Sequence, residues 1–175
     1  MKVAAVRLER PWAMITISYP RLQMIFVSQL STTHCVCAEV QAPGLSIYVV
    51  SCYFQYSDEI EGHLRHLEKV FHSLRGERLI MAVDANARLS LWGSRRLTKE
   101  KGRSFKIFIR AFGLKIINEF HQGLTFETRR GSSFIDVILV SPQISQLIGT
   151  WKVRQEWITS NHSRGDRVED TKNSK

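Results

Sequence analysis

An α/β domain with a mixed sheet, or with two packed sheets, is the fold class this sequence predicts. Short β-prone runs fill the front third, an amphipathic helix follows, and apolar strand-like runs then alternate with a second helix. At 175 residues, with 43% hydrophobic and 23% charged side chains, the chain suits one domain with a real core.

Ala13 to Ile17 and Met24 to Val27 read as strands separated by a turn at Pro20. Cys35 to Val40 and Leu45 to Val50 read as two more, with Pro43-Gly44 as hairpin punctuation. The clearest helix begins after Ser57, a good N-cap, with Asp58 and Glu59 at the positive end of its dipole. Ile60, Leu64, Leu67, Val70, Phe71 and Leu74 share one face of it, and Gly76 stops it. Leu79 to Val83 is nearly all apolar, as expected of a strand buried on both faces. A second helix runs from about Arg103 to Phe112 and ends at Gly113. Leu114 to Ile117, Leu124 to Phe126, Phe134 to Val140 and Trp151 to Ile158 complete the predicted strands. The predicted domain is 1–162, and the polar stretch 163–175 reads as a disordered tail.

A net charge of +9 points to a polyanionic partner, nucleic acid before an acidic membrane surface. Seven basic residues against the single acid Glu100 lie between Arg95 and Arg110: Arg95, Arg96, Lys99, Lys101, Arg103, Lys106 and Arg110. They could grip a DNA backbone, or form a solvated helix face. Cys35, Cys37 and Cys52 make no CxxC pair and no zinc spacing, which fits a reducing compartment. No signal peptide or membrane span is visible, so the expected location is nuclear or cytoplasmic rather than secreted, with no membrane partner.

Three places carry candidate chemistry. Asp84 and Asn86 follow a predicted strand, and two residues apart on extended backbone they would point the same way. The carboxylate could take a proton from water and the amide could hold a phosphate, but an Asx turn needs the same residue types. Asp136 sits within an apolar run, where a carboxylate needs a cation or a strong donor. A structural ion pair or a histidine that it orients would serve equally. His162, in Ser160-Asn161-His162, could donate to a phosphate oxygen, or simply be exposed.

Asp-x-Asn, then Ile-Asp-Val-x-Leu, then Ser-x-His, in that order, is similar to the endonuclease/exonuclease/phosphatase superfamily that includes the apurinic endonucleases. The text between them resembles the endonuclease domains of non-long-terminal-repeat retrotransposons. The matching stretches are Val50-Ser51-Cys52-Tyr53-Phe54, the Asp84-to-Ser94 block with Trp92, and Leu124-Thr125-Phe126 with Ser133-Phe134-Ile135-Asp136-Val137. The resemblance implies an incomplete four-layer α/β sandwich of the DNase I-like type. It implies that Asp84 activates the attacking water, that Asn86 orients the phosphate, that Asp136 orients His162, and that Tyr53 contacts the scissile phosphate. It implies Mg2+ or Mn2+, DNA as partner with Arg129-Arg130 entering it, and a reverse transcriptase domain in the full-length element.

Two departures accompany it. The family's opening strands, with an asparagine and a metal-binding glutamate, are expected upstream of Met1. Asn161 stands where the family's Ser-Asp-His has a metal-side aspartate. A neutral oxygen is a poorer ligand for a hard cation. Two readings therefore stand: a metal-dependent DNA endonuclease that nicks target DNA for reverse transcription, or a DNA-binding relic unable to cut. A phosphodiesterase acting on inositol phosphates or sphingolipids is a third, opposed by the Trp92 block and the basic middle.

Overall fold

The computed structural model describes residues 1–5, 11–86, 99–118, 126–128, 131–133 and 136–148, with the backbone alone at 99, 126–128 and 131–133. The front runs form β1 (Lys2–Ala4), β2 (Ile15–Ile17), β3 (Gln23–Phe26), β4 (Cys35–Ala42) and β5 (Leu45–Tyr53). Helix α1 (Ile60–Ser73), β6 (Leu79–Asp84) and α2 (Lys99–Ala111) follow. Next come β7 (Lys115–Ile116), β8 (Phe126–Thr128), β9 (Gly131–Ser133), β10 (Asp136–Val140) and the short α3 (Pro142–Ser145).

Six strands form one mixed sheet in the order β3-β4-β5-β6-β10-β7. The β5–β6 pair is parallel and is joined by a crossover through α1, whereas the other neighbours in this sheet are antiparallel. Ala42 pairs with Leu45 at the end of the β4–β5 hairpin. Proline fixes a negative φ at the first loop position, and Gly44 takes φ +73° at the second, which a side chain would resist.

The pleat divides the core. Cys35, Cys37, Val50, Cys52, Leu79, Met81, Val83, Val137 and Leu139 point to one face and meet Leu64, Leu67, Val70, Phe105 and Phe108 of the two long helices. Val36 and Ala38 point to the other face and meet Ala4 and Ile15 of the β1–β2 ribbon and Ala13 just before β2. Helices, sheet and ribbon therefore make three layers in the described part of the chain. Ser141 ties the far end together: its hydroxyl donates to the Glu77 carbonyl and accepts the Leu79 N–H, each over 3.0 Å.

Several sequence expectations are corrected. Strand β6 is not buried equally on both faces; Leu79, Met81 and Val83 are buried under the helices, while Ile80 and Ala82 on the other face are half-buried. Glu59, not Ser57, occupies the N-cap of α1, and no side chain caps that helix. The Ser57 hydroxyl instead accepts from the Gln55 amide, 2.9 Å away. Helix α2 begins at Lys99, a full turn before the expected start. Strand β1 was not expected from the charged opening residues. The predicted strand Trp151 to Ile158 and the tail 163–175 lie outside the described residues.

Candidate active site

Tyr53, Asp84 and Asp136 lie on one row across β5, β6 and β10. Tyr53 is the partner of Asp84 in the parallel pair, and Asp136 is the partner of Asp84 in the antiparallel pair. Their neighbours Cys52, Val83 and Val137 are buried beneath the helices. Alternation along each strand therefore turns Tyr53, Asp84 and Asp136 toward the opposite face, and all three are half-buried. Directly opposed residues of antiparallel strands hold their Cβ atoms about 5 Å apart. Two carboxylates so placed concentrate negative charge at one point of the sheet, suited to an electropositive group. Both take part in further interactions within the protein.

Beyond Asp84 the chain leaves the extended conformation. Asn86 has φ +42°, and its N–H donates to Asp84 Oδ1 over 3.2 Å. This is an Asx turn, so continued extended backbone is not what relates the two side chains. The Asn86 amide donates to the Phe54 carbonyl over 2.8 Å, and the Phe54 N–H donates to the Asp84 carbonyl over the same distance. Asn86 thus braces the ends of β5 and β6 together. Asp136 is held from its other side by Asn118, whose amide donates to the Asp136 carbonyl and whose oxygen accepts the Ile138 N–H over 2.6 Å.

A cluster of rings borders Tyr53. Trp12 and His34 lie close to parallel with it, and His63 packs edge-on to His34 and face-on to Phe54. Burial, with the charge of His34, lowers the affinity of the His63 imidazole for a proton, against an upward pull from Asp58. Below this cluster the Cys52 thiol donates to Cys35 Sγ over 3.1 Å. That bond holds the Cys35 thiol below its ordinary value; burial opposes the shift and His66 assists it.

The basic segment is divided by its contacts. Lys101 does not extend freely toward solvent: its ammonium donates to the Tyr56 and Asp58 carbonyls, each 2.6 Å away. It fastens the start of α2 to the loop after β5, beside the Tyr53–Asp84 row. Arg103 and Arg110 are exposed on the outer side of α2. Lys99 lies in the first turn of α2. Strands β8 and β9 pair antiparallel, with Thr128 opposite Gly131. His162, Asn161, Arg95, Arg96, Arg129, Arg130 and Trp92 lie outside the described residues.

Sequence reasoning selected Tyr53, Asp84, Asn86 and Asp136, which the fold brings together. It missed Trp12, His34 and Asn118. Asn118 directly after an apolar pair was a faint local signal of a strand-end cap; Trp12 and His34 gave none, because distant segments bring them together. Among the described residues, no group of three or more His, Cys, Asp or Glu side chains is placed to hold a metal ion. The described residues alone thus do not compose such a centre. No helix among them is long and apolar enough to cross a membrane.

The mixed sheet and its layers are those of the DNase I-like α/β fold of endonuclease/exonuclease/phosphatase proteins. Within that class the chain belongs to the endonuclease-reverse transcriptase family, whose model matches residues 47–164. The endonuclease domain of TRAS1, a telomere-specific non-LTR retrotransposon, is similar in structure, with TM-score 0.79 and 30% identity over 85% of this chain and 69% of that one. The Pol polyprotein of the type-1 retrotransposable element R1 of Bradysia coprophila is 30% identical over 156 residues, 85% of this chain. A 115 kDa protein of the element R1DM of Drosophila melanogaster is 25% identical over 159 residues, 86% of this chain. The chain spans 16% of the length of each of these two relatives.

Proposed function

We propose that this chain is a DNA endonuclease domain of a retrotransposon, hydrolysing a phosphodiester to nick target DNA so that reverse transcription can be primed. The observation that carries the reading is the single row of Tyr53, Asp84 and Asp136 across three adjacent strands, in a chain of the endonuclease-reverse transcriptase family. In this reading Asp84 accepts a proton from the attacking water, and Tyr53 contacts the phosphate from the next strand. Asp136 orients His162, which donates to a phosphate oxygen. Asn86 acts through its backbone brace, positioning Asp84 against β5. DNA is the substrate, and a reverse transcriptase domain accompanies the endonuclease in the full element, as the Pol polyprotein relative and the family's description suggest. Mg2+ or Mn2+ belongs to the reading through the family, whose members generally depend on a divalent metal.

A second reading, a DNA-binding relic unable to cut, is favoured by one observation. Asn161 replaces the aspartate expected beside the catalytic histidine, and an amide oxygen binds a hard cation less well than a carboxylate. Conversion of supercoiled plasmid to open circle in magnesium, beside Asp84→Ala, separates the two. Nicking that disappears in Asp84→Ala supports the nuclease, and binding without nicking supports the relic. Nicking that persists in Asp84→Ala overturns the assignment of Asp84.

A further inference from the structure

We propose that Trp12, His34 and Tyr53 form a platform on which an unpaired nucleobase stacks, next to the phosphate that Tyr53 contacts. The proposal rests on the nucleic-acid reading above and adds to it where one base beside the cut is held, and by what.

The three rings pack closely. Ring centroids of Trp12 and Tyr53 are 5.4 Å apart with planes 11° apart; Trp12 and His34 are separated by 6.1 Å and 6°, and His34 and Tyr53 by 6.3 Å and 14°. In a stacked column of three, the outer two would be about twice as far apart as neighbours. Three near-equal separations instead show a compact cluster of offset, near-parallel rings, of which Trp12 is the exposed one.

The backbone that carries the rings is held in place. The Trp12 backbone N–H donates to the Thr33 carbonyl over 3.0 Å, and the Tyr53 backbone N–H to the His34 carbonyl over 2.9 Å. Both imidazole nitrogens of His34 have partners, Thr33 Oγ1 at 3.1 Å and Gln55 Oε1 at 3.3 Å. A surface already ordered costs little further entropy when a ligand lies on it. Yet Trp12 is 56% exposed while Ala13 beside it is 5% exposed. The chain thus buries a small residue and leaves the tryptophan beside it turned partly to water.

The ligand follows from the chemistry. Every nucleobase has a π-face, and bases stack on aromatic side chains with little regard to sequence. A base inside a duplex has both faces covered, so the platform suits an unpaired or displaced base. Tyr53, on the row of Asp84, makes the platform continuous with the proposed cutting site. A distorted or partly opened duplex would be gripped there better than a perfect one.

The test measures the affinity of the full chain for three fluorescently labelled DNAs of equal length. These are an adenine single strand, a strand abasic at every position, and a blunt duplex. A urea midpoint confirms that each variant is folded. Trp12→Ala should weaken binding of the intact single strand on the order of tenfold. It should leave the abasic strand and the duplex unchanged, with Trp12→Phe intermediate. With 2-aminopurine as the central base, emission should fall on binding to the unaltered chain and much less with Trp12→Ala. Equal weakening on intact and abasic strands, or no change on either, overturns the platform while leaving the nuclease reading standing. Failure of the unaltered chain to bind any of the three overturns both.

Discussion

Replacing Phe105 by alanine tests whether the packing of α2 supports the site. Phe105 is fully buried at the junction of α2 with the sheet, and its ring meets Phe54 edge-on with centroids 5.4 Å apart. Truncating a buried phenylalanine typically costs about 3–5 kcal/mol, of which an edge-to-face pair contributes roughly 0.5–1.5. Total stabilities are about 5–15 kcal/mol, so the loss is a large share. With a urea slope of about 2 kcal/mol/M, the unfolding midpoint should fall by about 1.5–2.5 M at unchanged slope. Function should suffer beyond stability, because Phe54 is the residue whose carbonyl holds Asn86 and whose N–H meets the Asp84 carbonyl. DNA binding and nicking measured well below the midpoint would report that second effect. A loss under about 1 kcal/mol with the slope unchanged would refute the packing argument.

Other outcomes follow from the charged and thiol groups. Burial, with the charge of Cys35, pushes the Cys37 thiol up to about 12 from 9.0, so it contributes stability below pH 9 that drains away as pH climbs toward 12. Cys37→Ala should flatten that alkaline fall in a urea midpoint series; an unchanged profile would assign it to other groups. Neutralising Arg95, Arg96 and Lys99 together should flatten the salt dependence of DNA affinity, by up to about 0.9 in logarithmic slope for each phosphate these side chains neutralise. Lys101→Met should leave that slope alone and lower the urea stability by about 1 kcal/mol, since its ammonium is bonded to two backbone carbonyls. A flattened slope in Lys101→Met would return this lysine to the DNA surface.

Local periodicity made the helices and the central strands legible. The apolar face of α1 and the runs that became β4, β5, β6 and β10 are written in consecutive residues, and the Asp-x-Asn motif after an apolar run placed Asp84 at a strand end. What escaped depends on distant partners. Ser57 has the chemistry of an N-cap, but its hydroxyl accepts from Gln55 and the helix starts later. Lys101 looks like its basic neighbours in sequence, and only the packing of α2 against the loop after β5 distinguishes it. Asp136 read as a carboxylate within an apolar strand, whereas its antiparallel register sets it directly opposite Asp84. The Asx turn at Asn86 was legible as an alternative, and the bond from its N–H to Asp84 Oδ1 forms it.

The parallel junction of β5 with β6 also bears on how the site assembles. Tyr53 and Asp84 are joined by one compact crossover through α1, so a modest loop closure brings them together early. Asp136 arrives only after the much longer excursion through 85–135, and β10 then lies between β6 and the two-residue β7. The outer side of β10 is guarded by that short strand and the Asn118 amide. Opening of the β6–β10 junction, by contrast, would separate the two carboxylates without disturbing the Tyr53–Asp84 pair. The row that defines the site is thus built from a part that forms locally and a part that must close over it, and the closing strand carries the carboxylate that completes the row.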